Sequence, residues 1–517
     1  MQGAVIRQRI RRLTRHQLSG GLRGVERECL RITPAGRVAP TPHGEELGSA
    51  LTHRYITTDF AEALLELITP PVKSTHDVSD WLAALHEFVL SKVDGEQLWA
   101  PSMPPAISSD RQLSPARYGS SNIGMLKHIY RLGLANRYGP RMQAIVGIHF
   151  NYSPPPDLWK SLPHLESPPT GIVAKRSAWI MGQMRNVRRL AWLPTYLLGA
   201  SPAFHDTLSQ VRNADLRKGR KGTLYAPDAT SLRMSSLGYT SALQAGLVIS
   251  ANSVHEYVRD LEAAVHARHA AYGKIGVRVR GRYRQLSDSV LQVENEYYSA
   301  ARPKRRIRRG ERAATALRRR GAEYLELRLV DADPFEPLGV SEASMRFLEA
   351  FLLYCLLEES PPMAADEYLA CVSNLDDTAW RGRARGIRLI RNRRRIRLDN
   401  WGLEVCRAMR PVCEALDGGA GGEYSAALKA ARASLRDPGL TPAARVLDEL
   451  GDAGWDHQAW GMEKARLASR PPRARPNAAR RRALKDEAPA SLARLQAMES
   501  APEPPFDEFL ARYLEKG

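Results

Sequence analysis

Short runs in which apolar and polar residues alternate, amphipathic helical runs between them, and enough apolar content for a full core predict an α+β fold with half-exposed antiparallel strands. The chain has 517 residues, 43% of them hydrophobic and 26% charged. That composition folds rather than staying disordered. Length alone leaves open three domains or one large α/β or α+β unit.

The strand-like runs come first. "GVERECLRI" places Glu26 and Glu28 two residues apart, about 7 Å along a strand and on one face. In "QAIVGIHFNYS", Val146, Ile148, Phe150 and Tyr152 alternate with Gln143, Ile145, Gly147, His149 and Asn151. In "EYLELRLVD", Leu325, Leu327 and Leu329 alternate with Tyr324, Glu326 and Arg328. "LQVENEYYS" reads the same way, with Gln292, Glu294, Glu296 and Tyr298 opposite Leu291, Val293 and Tyr297. Each strand thus offers one core face and one polar face.

Helical spacing marks "DVSDWLAALHEFVLSKV", with Ser74 as its cap, and "SEASMRFLEAFLLYCLL", capped by Ser341 or Ser344. From "SRPPRARPNAARRR" onward the Pro, Arg and Ala content reads as an exposed linker. "PPFDEFLARYLEKG" then regains helical spacing through Phe506, Phe509, Leu510, Tyr513 and Leu514, and is expected to dock back on the body. The predicted division is a catalytic body over 1–455 and an Arg/Pro-rich, helical extension of it over 456–517.

Composition excludes several classes. The 76 Lys+Arg against 56 Asp+Glu give a formal charge of +20. The excess is blocked, with no acid in 1–25, 301–310, 381–397 or 464–485. No nucleic-acid-binding signature accompanies these blocks, so no dedicated nucleic-acid role is expected. Cys29, Cys355, Cys371, Cys406 and Cys413 form no CxxC pair and no zinc spacing, which suits a reducing compartment. "FLEAFLLYCLLEE" is too short and too charged to span a membrane, and no secretory h-region opens the chain. A cytoplasmic protein is expected.

The polar faces repeat Glu, His, Asn, Gln and Tyr, where solvated faces are usually filled with Lys, Thr, Ser and Arg. A sheet lined in that way suits divalent cations, which would relieve the repulsion between Glu26 and Glu28. Asp59, after a Thr pair, and Glu66, inside "ALLELITP", add a second acidic cluster, whereas Glu62 reads as a surface acid. Oxygen ligands plus one imidazole favour Mg2+ or Mn2+ over zinc. Arg328 beside Glu326 suggests a phosphate near the metals. No Walker loop, kinase set or GxGxxG is present.

Together, "GVERECLRI", "LGSALTHRYITTDFAEALLELITP", "YGSSNIG", "NRYGPRMQAIVGIHFNYS", "GASPAF", "ATSLRMSSLGYT", "LQVENEYYS", "RPKR" and "EYLELR" resemble the proteobacterial class of glutamate–cysteine ligase, in order from about Gly20 to Pro334. The resemblance implies a glutamine-synthetase-like fold, a curved, mainly antiparallel sheet forming a funnel-shaped site packed with helices. It implies ATP-dependent joining of the γ-carboxylate of L-glutamate to L-cysteine through γ-glutamyl phosphate, giving γ-glutamylcysteine, ADP and phosphate, the first step of glutathione synthesis.

On the same resemblance Glu26, Glu28, Asp59, Glu66, His149 and Glu326 match ligands of two or three Mg2+ ions, with Glu28 and Arg328 also at the ATP. Arg233 and Arg328, with Arg131 as a further candidate, match groups at the transferred phosphate. Tyr130, Leu134, Gln143, Ile145, Asn151, Tyr239 and Tyr298 match the surroundings of the cysteine substrate. Feedback inhibition by glutathione and a monomeric state are implied as well. Two other readings stand beside this one: a carboxylate–amine ligase with another acceptor amine, and a catalytically retired binding protein, which should have lost metal ligands. "RGRARGIRLIRNRRRIRLDN" is more basic than the family pattern leads one to expect.

Overall fold

The computed structural model describes all residues except 1–3, 166–170, 209–212, 239–245, 309, 453, 455, 471–475 and 516–517. Tyr239 therefore lies outside the described residues. The fold is α+β, organised on one seven-stranded antiparallel sheet. Its strands are β1 (Leu22–Ile32), β2 (Ile56–Thr58), β3 (Leu64–Ile68), β4 (Gln97–Leu98), β5 (Ile148–Ser153), β6 (Ala301–Lys304) and β7 (Tyr324–Val330). They run in the order β6-β7-β5-β1-β3-β2, with β4 paired to the far end of β1.

Alternation sorts each strand into two faces. On the helix-covered side Val25, Leu65, Leu67, Ile148, Phe150, Tyr152, Leu325 and Leu327 are all buried. Against this side pack α1 (Thr75–Leu90), α3 (Ile172–Leu190) and α4 (Glu342–Leu357), with α2 (Asn122–Tyr138) lying elsewhere, beside the polar face. Ser74 and Ser341 cap α1 and α4, each accepting from the backbone N–H three residues on, which satisfies an otherwise orphaned donor. Behind α4 lie α5 (Leu398–Asp417) and α6 (Glu423–Arg436).

Two arginines of β1 point into this apolar side. Arg27 donates to the Pro337 carbonyl at 2.8 Å and stands 2.7 Å from His86 Nε2. Arg23 pairs with Glu349 of α4, whose other oxygen accepts from the Tyr424 hydroxyl of α6 at 2.9 Å. Glu349, the acid that interrupts the most apolar helix, thus fastens β1 to two helices. No helix among the described residues is long and apolar enough to cross a membrane.

Three expectations change. "LQVENEYYS" is not a strand: Glu294–Glu296 is a single 3-10 turn, its acids engaged by arginines of other segments, Glu294 by Arg312 at 2.9 Å and Glu296 by Arg137 at 3.0 Å. "QAIVGIHFNYS" is extended only from Ile148, since Arg141–Ala144 forms a 3-10 turn. The supposed linker contains α7 (Ala478–Glu499), while 471–475 lie outside the described residues. α7 holds its place with few apolar groups: Leu484 and Ala488 are buried, Arg480 pairs with Asp77 and Asp80 of α1 at 2.5 Å each, and Ser49 N–H donates to Ser491 Oγ at 2.9 Å. The last helix, α8 (Phe506–Glu515), docks as expected, placing Phe506, Phe509, Leu510, Tyr513 and Leu514 against Leu126, Ile129 and Val293.

Replacing Glu349 by Ala should leave Arg23 charged and buried, at a cost of about 3–5 kcal/mol. Urea unfolding of the variant is expected to show that loss; a change below about 1 kcal/mol would show that the pair does not fasten the sheet.

Candidate active site

The polar face of the sheet collects one charged or polar side chain after another by register. Glu26 stands opposite His149 of β5, Glu28 opposite Glu66 of β3, and Glu326 opposite both Asn151 of β5 and Arg302 of β6. A bulge in β7, where Leu327 pairs with Phe150 but Val330 with Ile148, re-aims the strand after Glu326. It brings Arg328 Nη1 to 3.3 Å from His149 Nδ1.

Glu26 accepts from Asn151 Nδ2 at 2.9 Å and lies 3.1 Å from His149 Nδ1. The other ring nitrogen of His149 is 3.4 Å from Glu28, and Glu28 accepts the Gly147 N–H at 2.8 Å. Donor atoms of Glu26, Glu66 and His149 all fall within 4.8 Å of one another. Glu326 is fully buried between Lys304, at 3.0 Å, and Arg328, at 3.4 Å, yet neither of its oxygens has a hydrogen bond of good geometry.

Crowding splits the carboxylates. Burial pushes Glu66 well up, and the charges of Glu26, Asp59 and Glu28 push it further. Burial likewise raises Asp59 to about 6, with Glu28 adding to it. Burial is the largest influence on Glu26 and opposes its ionisation, but the His149 hydrogen bond and the charges of His149 and Lys304 together outweigh it and leave Glu26 at about 2. Glu326, also desolvated, is held well below the usual carboxylate range by Lys304 and Arg328. Such a donor set suits a hard divalent cation, which would compete with protons for these oxygens.

The predicted residues converge to different degrees. Glu28, Asp59, His149, Arg233 and Arg328 line one small cavity of about 110 Å3, together with Tyr130, Leu134, Gln143 and Tyr298. Tyr298 donates to Met234 Sδ at 3.1 Å, beside Arg233. Ile145 does not reach this cavity and is packed with Phe204, Leu232 and Trp380; Asn151 is engaged with Glu26 instead. Arg131 reaches the cavity, but its nitrogens donate to the carbonyls of Asp59, Thr58 and Lys127 and its plane lies 4.5 Å from the Tyr118 ring. It holds the turn that presents Asp59. Glu62 is half-buried and accepts from the N–H groups of His43 and Arg117 at 2.8 and 2.7 Å.

Sequence reasoning missed Lys304 and Arg302 as site groups. Their signal was "RPKR", whose alternation puts both on the acid-bearing face of β6. It also missed why Gly147 is glycine: a Cβ there would stand 2.1 Å from Arg233 Nη2, so side-chain bulk would expel the guanidinium. Gly147→Ala is accordingly expected to lower the melting temperature by several degrees and to displace Arg233, as seen by crystallography; an unmoved guanidinium would contradict the contact.

Residues 8–378 match the family model described as glutamate-cysteine ligase. The chain is 44% identical over 497 residues to the glutamate–cysteine ligase of Azotobacter vinelandii, covering 95% of this chain and 94% of the relative. It is 42% identical over 504 residues to that of Alcanivorax borkumensis, covering 96% of each. The crystal structure of glutamate–cysteine ligase from Francisella tularensis in complex with AMP superposes with a TM-score of 0.90 at 35% identity, over 96% of this chain and 97% of that one. The sheet, its acid-bearing face and these matches lead to one statement: the chain belongs to the glutamate–cysteine ligase family.

Proposed function

We propose that the protein joins the γ-carboxylate of L-glutamate to the amine of L-cysteine at the expense of ATP, through γ-glutamyl phosphate, releasing ADP and phosphate. The observation that carries this reading is the crowded carboxylate face, with a guanidinium at each side of it, in a chain nearly as long as its family relatives. The AMP bound in the Francisella tularensis enzyme supports a nucleotide as co-substrate. In this reading the sheet forms the wall of a glutamine-synthetase-like funnel. Residues 1–455 are its catalytic domain and 456–517 the extension.

The donor set fits Mg2+, and Mn2+ as a substitute, because donor atoms of Glu26, Glu66 and His149 crowd within 4.8 Å and the buried Glu326 oxygens lack good hydrogen bonds. Glu26, Glu28, Asp59, Glu66, His149 and Glu326 would hold two or three ions, which when bound neutralise triphosphate charge and orient it for phosphoryl transfer. The side chains do the rest. Arg328, fixed by Glu326, and Arg233, fixed by strand carbonyls, supply positive charge where the acyl phosphate and the later tetrahedral oxyanion develop. Tyr130, Leu134, Gln143 and Tyr298 bound the space for the acceptor amine. Glutathione carries both the γ-glutamyl and the cysteinyl group and would act there as a feedback inhibitor. The enzyme is read as a cytoplasmic monomer.

Purified protein with Mg2+, ATP and L-glutamate should release ADP in step with γ-glutamylcysteine when cysteine is added, ahead of 2-aminobutyrate, alanine and ammonia. Preference for another amine would make it a ligase of different specificity, and no acceptor-dependent ADP would refute the ligase reading. Glu26→Gln should lower kcat by about 100-fold or more while leaving the fold intact; retained turnover would remove Glu26 from the metal set.

The metal-free protein makes a further prediction. Between about pH 4 and 6 the folded chain keeps the Asp59 proton that the unfolded chain has lost, and Glu66 extends that window upward. The stability that Asp59 and Glu66 contribute to the metal-free form therefore falls as pH rises through it, opposed at its acid end by the depressed Glu26 and Glu326. Mg2+ should raise the melting temperature more at about pH 7.5 than at about pH 5.5, because at the lower pH protons occupy the acids. An increment that is flat, or larger at the acid end, would contradict the assignment.

A further inference from the structure

Three motifs in the chain, "GASPAF", "ATSLRMSS" and "EYLELRLVD", come from distant segments, yet they meet on one side chain that the proposed chemistry does not use. Asp331, just past β7, is buried, with 1% of its surface exposed. Its Oδ2 accepts the Ala200 N–H at 2.9 Å and the Ser201 hydroxyl at 2.6 Å. Its Oδ1 accepts the Ser231 hydroxyl at 2.9 Å and faces Arg233 Nη1 at 3.6 Å. Both serine oxygens are themselves acceptors, Ser201 Oγ from the Arg233 N–H and Ser231 Oγ from the Met234 N–H, each at 3.3 Å. Asp331 thus accepts three hydrogen bonds and faces one guanidinium, while Ser201 Oγ also stands 3.3 Å from Ser231 Oγ. A carboxylate satisfies that arrangement; an amide would not.

The same contacts restrain Arg233 from two directions. Its backbone is tied through Ser201, and its guanidinium lies between Asp331 and the carbonyls of Arg328 and Val330, 2.9 Å and 3.3 Å away. Gly147 leaves the space that the guanidinium fills. A buried cation stays where it is only if its counter-charge and acceptors stay as well.

We infer that Asp331 is the positioning residue for Arg233, tying the Ala200–Ser201 and Ser231–Arg233 segments to the end of β7 so that the guanidinium faces the cavity shared with Arg328, His149 and Glu28. This rests on the ligase reading for what Arg233 does, but not for where Arg233 lies. Asp331 touches no substrate and acts through Arg233.

Two measurements test it. In a kinetic cycle of Asp331→Asn, Arg233→Lys and the double variant, each single change should lower kcat by about 100-fold with the KM for ATP shifted less than about 3-fold. The double variant should be no worse than Arg233→Lys alone. Multiplied losses would overturn the inference, because a side chain that merely holds the fold would add its damage to that of Arg233. The second measurement does not depend on turnover: crystals of Asp331→Asn should show the Arg233 guanidinium off the Arg328 and Val330 carbonyls. An unmoved guanidinium overturns the inference even if the wild-type protein proves inactive. Wild-type turnover judges the ligase reading separately. Should Asp331→Asn fail to fold, Ser231→Ala, which removes one donor, replaces it, with the same displacement expected in smaller measure and an unmoved guanidinium again counting against the inference.

Discussion

Electrostatic repulsion among carboxylates on one sheet face is the constraint on which this architecture depends. Glu26, Glu28 and Glu66 are held close by antiparallel register, which side-chain rotation alone does not relax. The protein answers with partners of the opposite sign at the margins, Lys304 and Arg328 against Glu326, and with a Glu66 carboxyl whose affinity for a proton is raised by burial and by its acidic neighbours. A face of this kind persists only when the backbone behind it is stiff. The opposite side provides that stiffness, with a continuous apolar layer and the Arg23–Glu349–Tyr424 chain fastening β1 to helices.

The elements most legible in the sequence were those in which one period dominates. β1, β3 and β7 alternate cleanly, and the caps Ser74 and Ser341 precede strong helical stripes, so local chemistry and tertiary role agree. The acids that share the polar face were legible for the same reason. "LQVENEYYS" misled because its alternation is real while its acids serve Arg137 and Arg312, partners that lie far away in sequence. The bulge that aims Arg328 leaves no trace in residue type, and Arg131 cannot be told from a phosphate ligand until its carbonyl partners are seen. α7 was hidden by composition, since it docks through ion pairs and single serine contacts rather than an apolar stripe.

Part of the basic blocks is paired within the molecule, although the formal excess of +20 stays unpaired. The basic run forms a hairpin, Arg388–Arg391 against Arg394–Arg397, closed by a two-residue turn in which Asn392 and Arg393 have φ of 50° and 62°. Arg391 pairs with Glu404 at 2.9 Å and Arg393 with Asp366 at 2.8 Å. Arg312, Arg318 and Arg320 pair with Glu294, Glu262 and Glu311. These contacts give five arginines of the basic segments an acidic partner within the chain. Exposed pairs of this sort contribute little stability, so their number is tolerated rather than required.

The central claim is that the acid face exists to gather divalent cations between a nucleotide and a carboxylate substrate. Crystals grown with Mn2+, a non-hydrolysable ATP analogue and L-glutamate would locate the ions directly through their anomalous scattering. The account predicts manganese peaks among Glu26, Glu66 and His149, on the side of the sheet that carries Arg328. Peaks confined to other parts of the surface, with that face binding nucleotide but no metal, would contradict it.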